Sequence, residues 1–188
     1  MIVKVCGITR REDAVAAVEA GASALGFIFY EKSPRYVRPE RAAELGDGFD
    51  AWKVGVFVDE SPAAIEAVIR AARLDVAQVY GGDAPEGARI WRAFRIDRDW
   101  HAGGLPRGAG EALFLDGAAN GISFDWNIAR DAAEKVIIAG GLDASNVAEA
   151  IRVARPWGVD ASSKLELAPG IKDHEKVRRF IQAARDAS

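Results

Sequence analysis

Residues 3–29 read VKVCGITRREDAVAAVEAGASALGFIF, and a strand, a helix and a second strand follow one another within them. Val3 and Val5 open a short apolar run that ends at Cys6. Thr9 stands three residues before Glu12, the spacing of a capping box, so a helix is expected to start at Thr9. That helix runs to about Ala20 and stops at Gly21, which can take the left-handed turn that ends helices. A second apolar run covers 24–29. Two strands joined by a helical crossover lie parallel in one sheet.

Outward from that unit the pattern repeats. After a loop at 30–38, Pro39 is well placed to open a second helix. A third strand is read at 54–58, then a helix from Ser61-Pro62 to near Arg73. Further strands are read at 76–79, 90–95, 112–115, 136–139 and 158–161. A helix from Ser145 and a last amphipathic helix from about Asp173 to Ala184 complete the series. Eight strands with helical crossovers predict an α/β chain, one domain over 1–188, closed as a (β/α)8 TIM barrel. An open doubly wound sheet is the alternative. The stretch 81–89 is too short for a full helix, and 97–111 is weakly helical. The helices between strands four and five, and five and six, are therefore expected to be shortened or missing. That gap would leave apolar barrel surface for a partner subunit, so monomer and homodimer both stay open.

The 188 residues carry 25 Lys+Arg against 28 Asp+Glu, a net charge of −3, which gives no electrostatic basis for binding nucleic acid or an anionic membrane. No apolar stretch approaches the roughly 18 residues of a membrane span, and the N-terminus does not read as a signal peptide. The single cysteine excludes an intramolecular disulfide and suits a reducing cytoplasm.

In such barrels the active site lies at the C-terminal ends of the strands. Side chains alternate along a strand, so Val3 and Val5 share one face, Lys4 and Cys6 the other. Helices must cover the outside, which sends the valines out and Cys6 into the mouth. The same reasoning on strand six sends Leu113 and Leu115 out, Phe114 and Asp116 in. A thiol and a carboxyl facing one pocket suit general acid–base chemistry. The thiol needs to be ionised, which Arg10 and the adjacent helix N-terminus favour, and the carboxyl protonated, which burial favours. Alternatively Cys6 is a small buried apolar residue and Asp116 a cap. Gly140-Gly141 after strand seven and Ser162-Ser163 after strand eight occupy the usual phosphate position of these barrels. In the loop Ser33-Pro34-Arg35-Tyr36, the arginine suits a carboxylate and the tyrosine an aryl ring. Lys4 and Asp160 both face inward on strands one and eight, neighbours only if the barrel closes, and are expected to form a buried ion pair. His101 and His174 are read as solvated.

Taken together, these motifs resemble the phosphoribosylanthranilate isomerase family. The opening KVCGITR at 4–10, GFIF at 26–29, SPRYV at 33–37, VGVFV at 54–58, LDG at 115–117, FDW at 124–126, AGGL at 139–142 and PGIKD at 169–173 follow in family order over nearly the whole chain. The resemblance implies an Amadori rearrangement with Cys6 as general base and Asp116 as general acid. It also implies Arg35 as the ligand of the anthranilate carboxylate, with no metal or cofactor. Gln78 and Tyr80, in the fourth-strand signature, are expected to bind substrate. The family usually has histidine where Tyr80 stands. The loop 117–121 departs from a Gly-Thr-Gly-like pattern, and Lys164 replaces a usual glycine. A histidine-branch or dual-branch phosphoribosyl isomerase is the nearest enzyme alternative, but its acid and base resemble two aspartates. A phosphosugar-binding barrel without turnover is the non-enzymatic one.

Overall fold

The computed structural model of the chain describes residues 1–96, 110–117 and 124–188. Eight parallel strands close into a barrel in chain order: β1 (Ile2–Cys6), β2 (Ala24–Ile28), β3 (Trp52–Val58), β4 (Val76–Tyr80), β5 (Ile90–Ile96), β6 (Ala112–Gly117), β7 (Val136–Ala139) and β8 (Gly158–Ala161). Closure is made where β1 pairs with β8, with Lys4 opposite Asp160. Outside lie α1 (Arg11–Ala20), α2 (Pro39–Gly46), α3 (Pro62–Ala72), α4 (Val147–Ala154) and α5 (His174–Asp186). A small antiparallel hairpin, β9 (Glu166–Ala168) and β10 (Ile171–Lys172), rises from the end of β8.

Alternation places the residues as the sequence predicts. Val3, Val5, Leu113 and Leu115 join the apolar layer between strands and helices, all at most 5% exposed. The barrel interior holds Val54, Val76, Trp91, Phe114 and Ile137. Its N-terminal end is closed by Trp52, Trp91 and Trp157, whose ring centroids lie 5.9–6.1 Å apart. Arg89 covers Trp52 and Lys135 covers Trp157, and Glu111 bonds to both cations. Helix ends follow local chemistry. Gly21 takes φ +101° and returns its N–H to the last turn of α1. The Ser61 hydroxyl accepts from the Ala64 N–H at the start of α3, and Asp173 does the same for Glu175 and Lys176 at α5.

Three expectations are corrected. Thr9 does not cap α1: Arg10 holds the cap position without a side-chain bond, and the Thr9 hydroxyl donates to the carbonyl of Gly170, a tertiary partner that outcompetes the local one. The helix expected at Ser145 begins at Val147, because Asp143 and Asn146 tie the preceding turn to itself. His174 is not simply solvated: its Nε2 lies 2.8 Å from Oδ1 of the fully buried Asp13, whose other oxygen accepts from the Lys172 N–H.

No helix forms at 81–89, as the length of that stretch predicts. Residues 97–109, which include His101 and most of the next crossover, lie outside the described residues. The apolar surface expected at this thin side is not seen among the described residues. There Arg92 lies over the loop, donating to the carbonyls of Gly81 and Gly82, and Ala84 and Ala88 pack on the core. The exposed large apolar side chains are Met1, Leu167 and Ile171, all elsewhere.

Candidate active site

At the C-terminal end of the strands lies a pocket of about 600 Å³. Cys6, Arg35, Gln78, Tyr80, Asp116, Gly140, Gly141, Ser162 and Ser163 all line it, so these nine residues, singled out in the sequence, face one cavity. The thiol and the carboxyl come from β1 and β6, three strands apart around an eight-strand ring.

The space around Cys6 is made by glycines. A Cβ on Gly26 would stand 2.7 Å from Cys6 Sγ and 3.0 Å from Lys4 Cε, so only glycine lets both side chains lie inward beside β2. Gly7 has φ +78°, and a Cβ there would meet Arg35 and Ser162. Below the thiol, Lys4 Nζ bonds Asp160 Oδ1 at 2.9 Å, with the lysine side chain wholly buried. This is the expected ion pair. Burial pulls the Lys4 ammonium down, but Asp160 and the thiol more than offset it, and its pKa ends above the ordinary lysine value. Burial pushes the Cys6 thiol up; the ammonium groups of Lys4 and Lys172 oppose this without overcoming it. Arg10, expected to help ionise the thiol, instead pairs with Glu12 at the surface. The cations that matter come from the barrel interior and the β9–β10 hairpin.

Burial also raises the Asp116 carboxyl, to about 6, against a hydrogen bond from Tyr80 that lowers it. The Tyr80 hydroxyl lies 3.0 Å from Asp116 Oδ2, and Gln78 Nε2 lies 3.1 Å from the Tyr80 oxygen. Gln78 Oε1 is buried and has no partner among the described residues. Asp116 accepts from the Tyr80 side chain; residues 118–123, whose N–H groups it would cap, lie outside the described residues.

Arg35 reaches the pocket from the loop after β2, held there by Glu166. Its Nε and Nη2 donate to the two carboxylate oxygens at 2.8 and 2.6 Å. Glu166 also takes Lys172 Nζ at 2.9 Å and the Gly170 N–H at 3.3 Å. Glu166 and Lys172 were missed by sequence reasoning; Glu166 stands 131 residues from Arg35, and no local pattern joins them. Arg95, also missed, was readable: it follows Trp91 and Ala93 on the inward face of β5 and pairs in register with Asp116. Tyr36 is placed differently from expectation. It lines a separate depression with Phe29 and Phe57, away from the pocket, because the chain pairs Tyr36 beside Ile28.

In the expected phosphate region Gly140 and Gly141 have φ +91° and +68°. A Cβ on Gly140 would stand 2.4 Å from the Gly117 nitrogen, so glycine is required there twice over. Ser163 begins a single 3-10 turn to Leu165. The Ser162 hydroxyl donates to the Cys6 carbonyl at 3.0 Å and closes the β1–β8 seam, which leaves its backbone as the group available to a ligand. Lys164 lines the same pocket. Residues 118–121 of the other departing loop lie outside the described residues. No group of three or more His, Cys, Asp or Glu among the described residues is arranged to hold a metal ion. No helix among them is long and apolar enough to cross a membrane.

The family model for N-(5'-phosphoribosyl)anthranilate isomerase matches residues 3–183. The chain belongs to the phosphoribosylanthranilate isomerase family. A relative from Solibacter usitatus, named N-(5'-phosphoribosyl)anthranilate isomerase, is 48% identical over 197 aligned positions, covering 100% of this chain and 98% of the relative. The solved phosphoribosyl anthranilate isomerase of Thermus thermophilus matches with a TM-score of 0.89 at 33% identity, over 100% of both chains. Another solved isomerase, in complex with reduced 1-(o-carboxyphenylamino)-1-deoxyribulose 5-phosphate, matches with a TM-score of 0.84 at 34% identity, over 99% of this chain and 100% of its own. Tyr80 and Lys164, expected from the sequence to depart from the family pattern, both line the described pocket.

Proposed function

We propose that this chain isomerises N-(5'-phosphoribosyl)anthranilate to 1-(2-carboxyphenylamino)-1-deoxyribulose 5-phosphate, a step of tryptophan biosynthesis. The observation that carries the reading is the convergence of Cys6 and Asp116 on one pocket with an arginine and a glycine turn at its margins. The relative crystallised with a reduced form of the product supports the same substrate class.

Each group then has a task. Gly140, Gly141 and the backbone of Ser162 and Ser163 offer N–H groups to the phosphate. Arg35 uses the guanidinium edge not bonded to Glu166 for the anthranilate carboxylate. Gln78 Oε1 accepts from a sugar hydroxyl, which satisfies an otherwise orphaned buried acceptor. Asp116 gives its proton to the furanose ring oxygen. The C1–O bond breaks, its electrons pass to that oxygen, and the nitrogen lone pair forms the protonated imine. The Cys6 thiolate removes the proton from C2; the C–H electrons form the C1=C2 bond, and the imine electrons return to nitrogen. The enolamine so formed becomes the ketone by losing its hydroxyl proton and gaining one at C1. The imine nitrogen accepts the electrons, so the chemistry calls on no cofactor.

Protonation states fit these tasks unequally. With Asp116 near 6, about a tenth of the molecules carry the acid proton at pH 7. Burial holds most Cys6 neutral, so the reactive form, acid protonated and base ionised, is a minority. A reduced thiol is required, which favours a cytoplasmic location. The test is turnover of freshly prepared phosphoribosylanthranilate, followed by the change in anthranilate fluorescence. Cys6→Ala is expected to retain the fold and lose most of the rate. A near-normal rate in that variant would remove Cys6 from the base role.

A further inference from the structure

Tyr80 stands where substrate contact was expected, yet its hydroxyl is already bonded on both sides. The polarity of those bonds is fixed by chemistry. An ionised Asp116 can only accept, so the phenol donates to Oδ2. With its one proton committed, the phenol oxygen can only accept from Gln78, which turns the amide nitrogen toward it. Burial and the neighbouring Asp116 charge hold the phenol well above its ordinary pKa, so it remains a donor throughout the working pH range. On the other side of the carboxyl lies Gly140. A Cβ there would stand 3.2 Å from Asp116 Oδ1, so the glycine sets no side chain against that oxygen.

We infer that Tyr80 is a positioning residue that acts through Asp116: by donating to Oδ2 it confines the transferable proton to Oδ1, the oxygen beside Gly140 at the pocket wall. The proton then sits on one atom of a carboxyl that cannot swing, and Gln78 keeps the phenol aimed. Without the phenol proton that hold on Oδ2 is lost and the carboxyl can turn about its Cβ–Cγ bond, so the acid proton is no longer fixed at one place on the pocket wall. This rests on the role proposed above for Asp116. Other charged groups near that carboxyl are Asp160 on β8, which raises it, and Arg95 on β5 and Lys4 on β1, which lower it. None of these donates a hydrogen bond to it among the described residues, so none duplicates the placement.

The variant is Tyr80→Phe, which keeps the ring that packs edge-on against Phe114 at 6.5 Å. Turnover is expected to fall roughly 10- to 100-fold with KM changed less than about threefold, since an acid that is present but misplaced loses much of its contribution. The acidic limb of the kcat/KM profile, near pH 6 in the unaltered protein, is expected to move up, because a bond that favoured the ionised carboxylate is gone. A purely packing role lowers the rate and leaves that limb in place. A substrate-binding role raises KM and leaves kcat. Either result overturns the inference. The titration of Asp116 is also read in substrate-free protein by carboxyl 13C resonances, assigned with Asp116→Asn. Its upward movement in Tyr80→Phe is expected whether or not the protein turns over phosphoribosylanthranilate, so a failed assay in the unaltered protein counts against the proposed reaction alone. Gln78→Met, which removes the donor to the phenol but not the phenol, is the second variant should Tyr80→Phe fail to fold. It is expected to move the same titration in the same direction by less, and an unmoved titration there overturns the inference as well.

Discussion

Asp116→Asn is expected to abolish most turnover and to make the protein more stable at neutral pH. The carboxyl is largely buried and its pKa is raised from 3.8 to about 6, burial being the main cause. A folded pKa above the unfolded one means that the folded chain binds more protons between those values. Stability is therefore highest at low pH with respect to this group, falls as pH rises from about 4, and is lowest above about 6. The span from 3.8 to about 6 corresponds to roughly 3 kcal/mol, the cost of holding a charged carboxylate out of water. Asparagine never ionises and escapes that cost. The stability gap between variant and unaltered protein is then small near pH 4 and opens to about 2–3 kcal/mol by pH 7.5. With a urea slope of about 2 kcal/mol per molar, the two midpoints separate by roughly 1–1.5 M over that range. Urea unfolding of both proteins at several pH values, followed by tryptophan fluorescence, reads this directly. A gap that does not change with pH would refute the reasoning, because it would mean that Asp116 titrates alike in the folded and unfolded chains.

Lys4→Met leaves Asp160 buried without its cation and is expected to cost about 3–5 kcal/mol in urea unfolding, whereas Lys4→Met with Asp160→Leu recovers most of that. The single variant also removes the foremost cation opposing burial of the thiol, so alkylation of Cys6 by iodoacetamide is expected to begin at higher pH. Arg35→Ala is expected to raise KM roughly 10- to 100-fold with kcat little changed, the size of a lost charge-assisted bond; an unchanged KM would place the anthranilate carboxylate elsewhere.

What the sequence disclosed, and what it hid, divides by range. The inward aim of Cys6, Asp116, Lys4 and Asp160 needed only the two-residue period of a strand and the requirement that helices cover the outside. From there the Lys4–Asp160 pair followed from closure alone, although 156 residues separate the partners. The strands at 136–139 and 158–161 were placed to the residue. Several failures are places where a side chain chose a distant partner over a local one, though the late start at Val147 and the Arg10–Glu12 pair are local. Thr9 turned to Gly170, Arg35 to Glu166, and His174 to Asp13. No spacing rule connects residues 131 to 161 apart in a part of the fold that no strand register aligns. The Gln78–Tyr80–Asp116 chain lay between these cases: alternation brings all three into the mouth, but the order of donors depends on which acceptor is charged.

Burial explains why the site needs two lysines on one side and none in hydrogen-bond contact with the other. Taking ionisable groups out of water favours the neutral form of each. For Asp116 the neutral form is the working form of an acid, so burial aids it, and the opposing bond from Tyr80 limits how far the carboxyl rises. For Cys6 the neutral form is the wrong one for a base, and burial works against turnover. Lys4 and Lys172 supply the correction there, Lys4 ahead of Lys172; Lys4 also lowers Asp116, more weakly than burial, Tyr80, Asp160 and Arg95 act on it. Lys172 is itself pulled below its ordinary value by burial and is held in place by Glu166. The same Glu166 carboxylate fixes Arg35 with two bonds. One acidic residue at the base of the β9–β10 hairpin thus holds both the guanidinium proposed to meet the substrate's carboxylate and a cation that favours the thiolate. A substrate carboxylate drawn to Arg35 arrives at a site whose base is tuned through that shared anchor. Substitution of Glu166 must therefore disturb binding and proton abstraction together, not one alone.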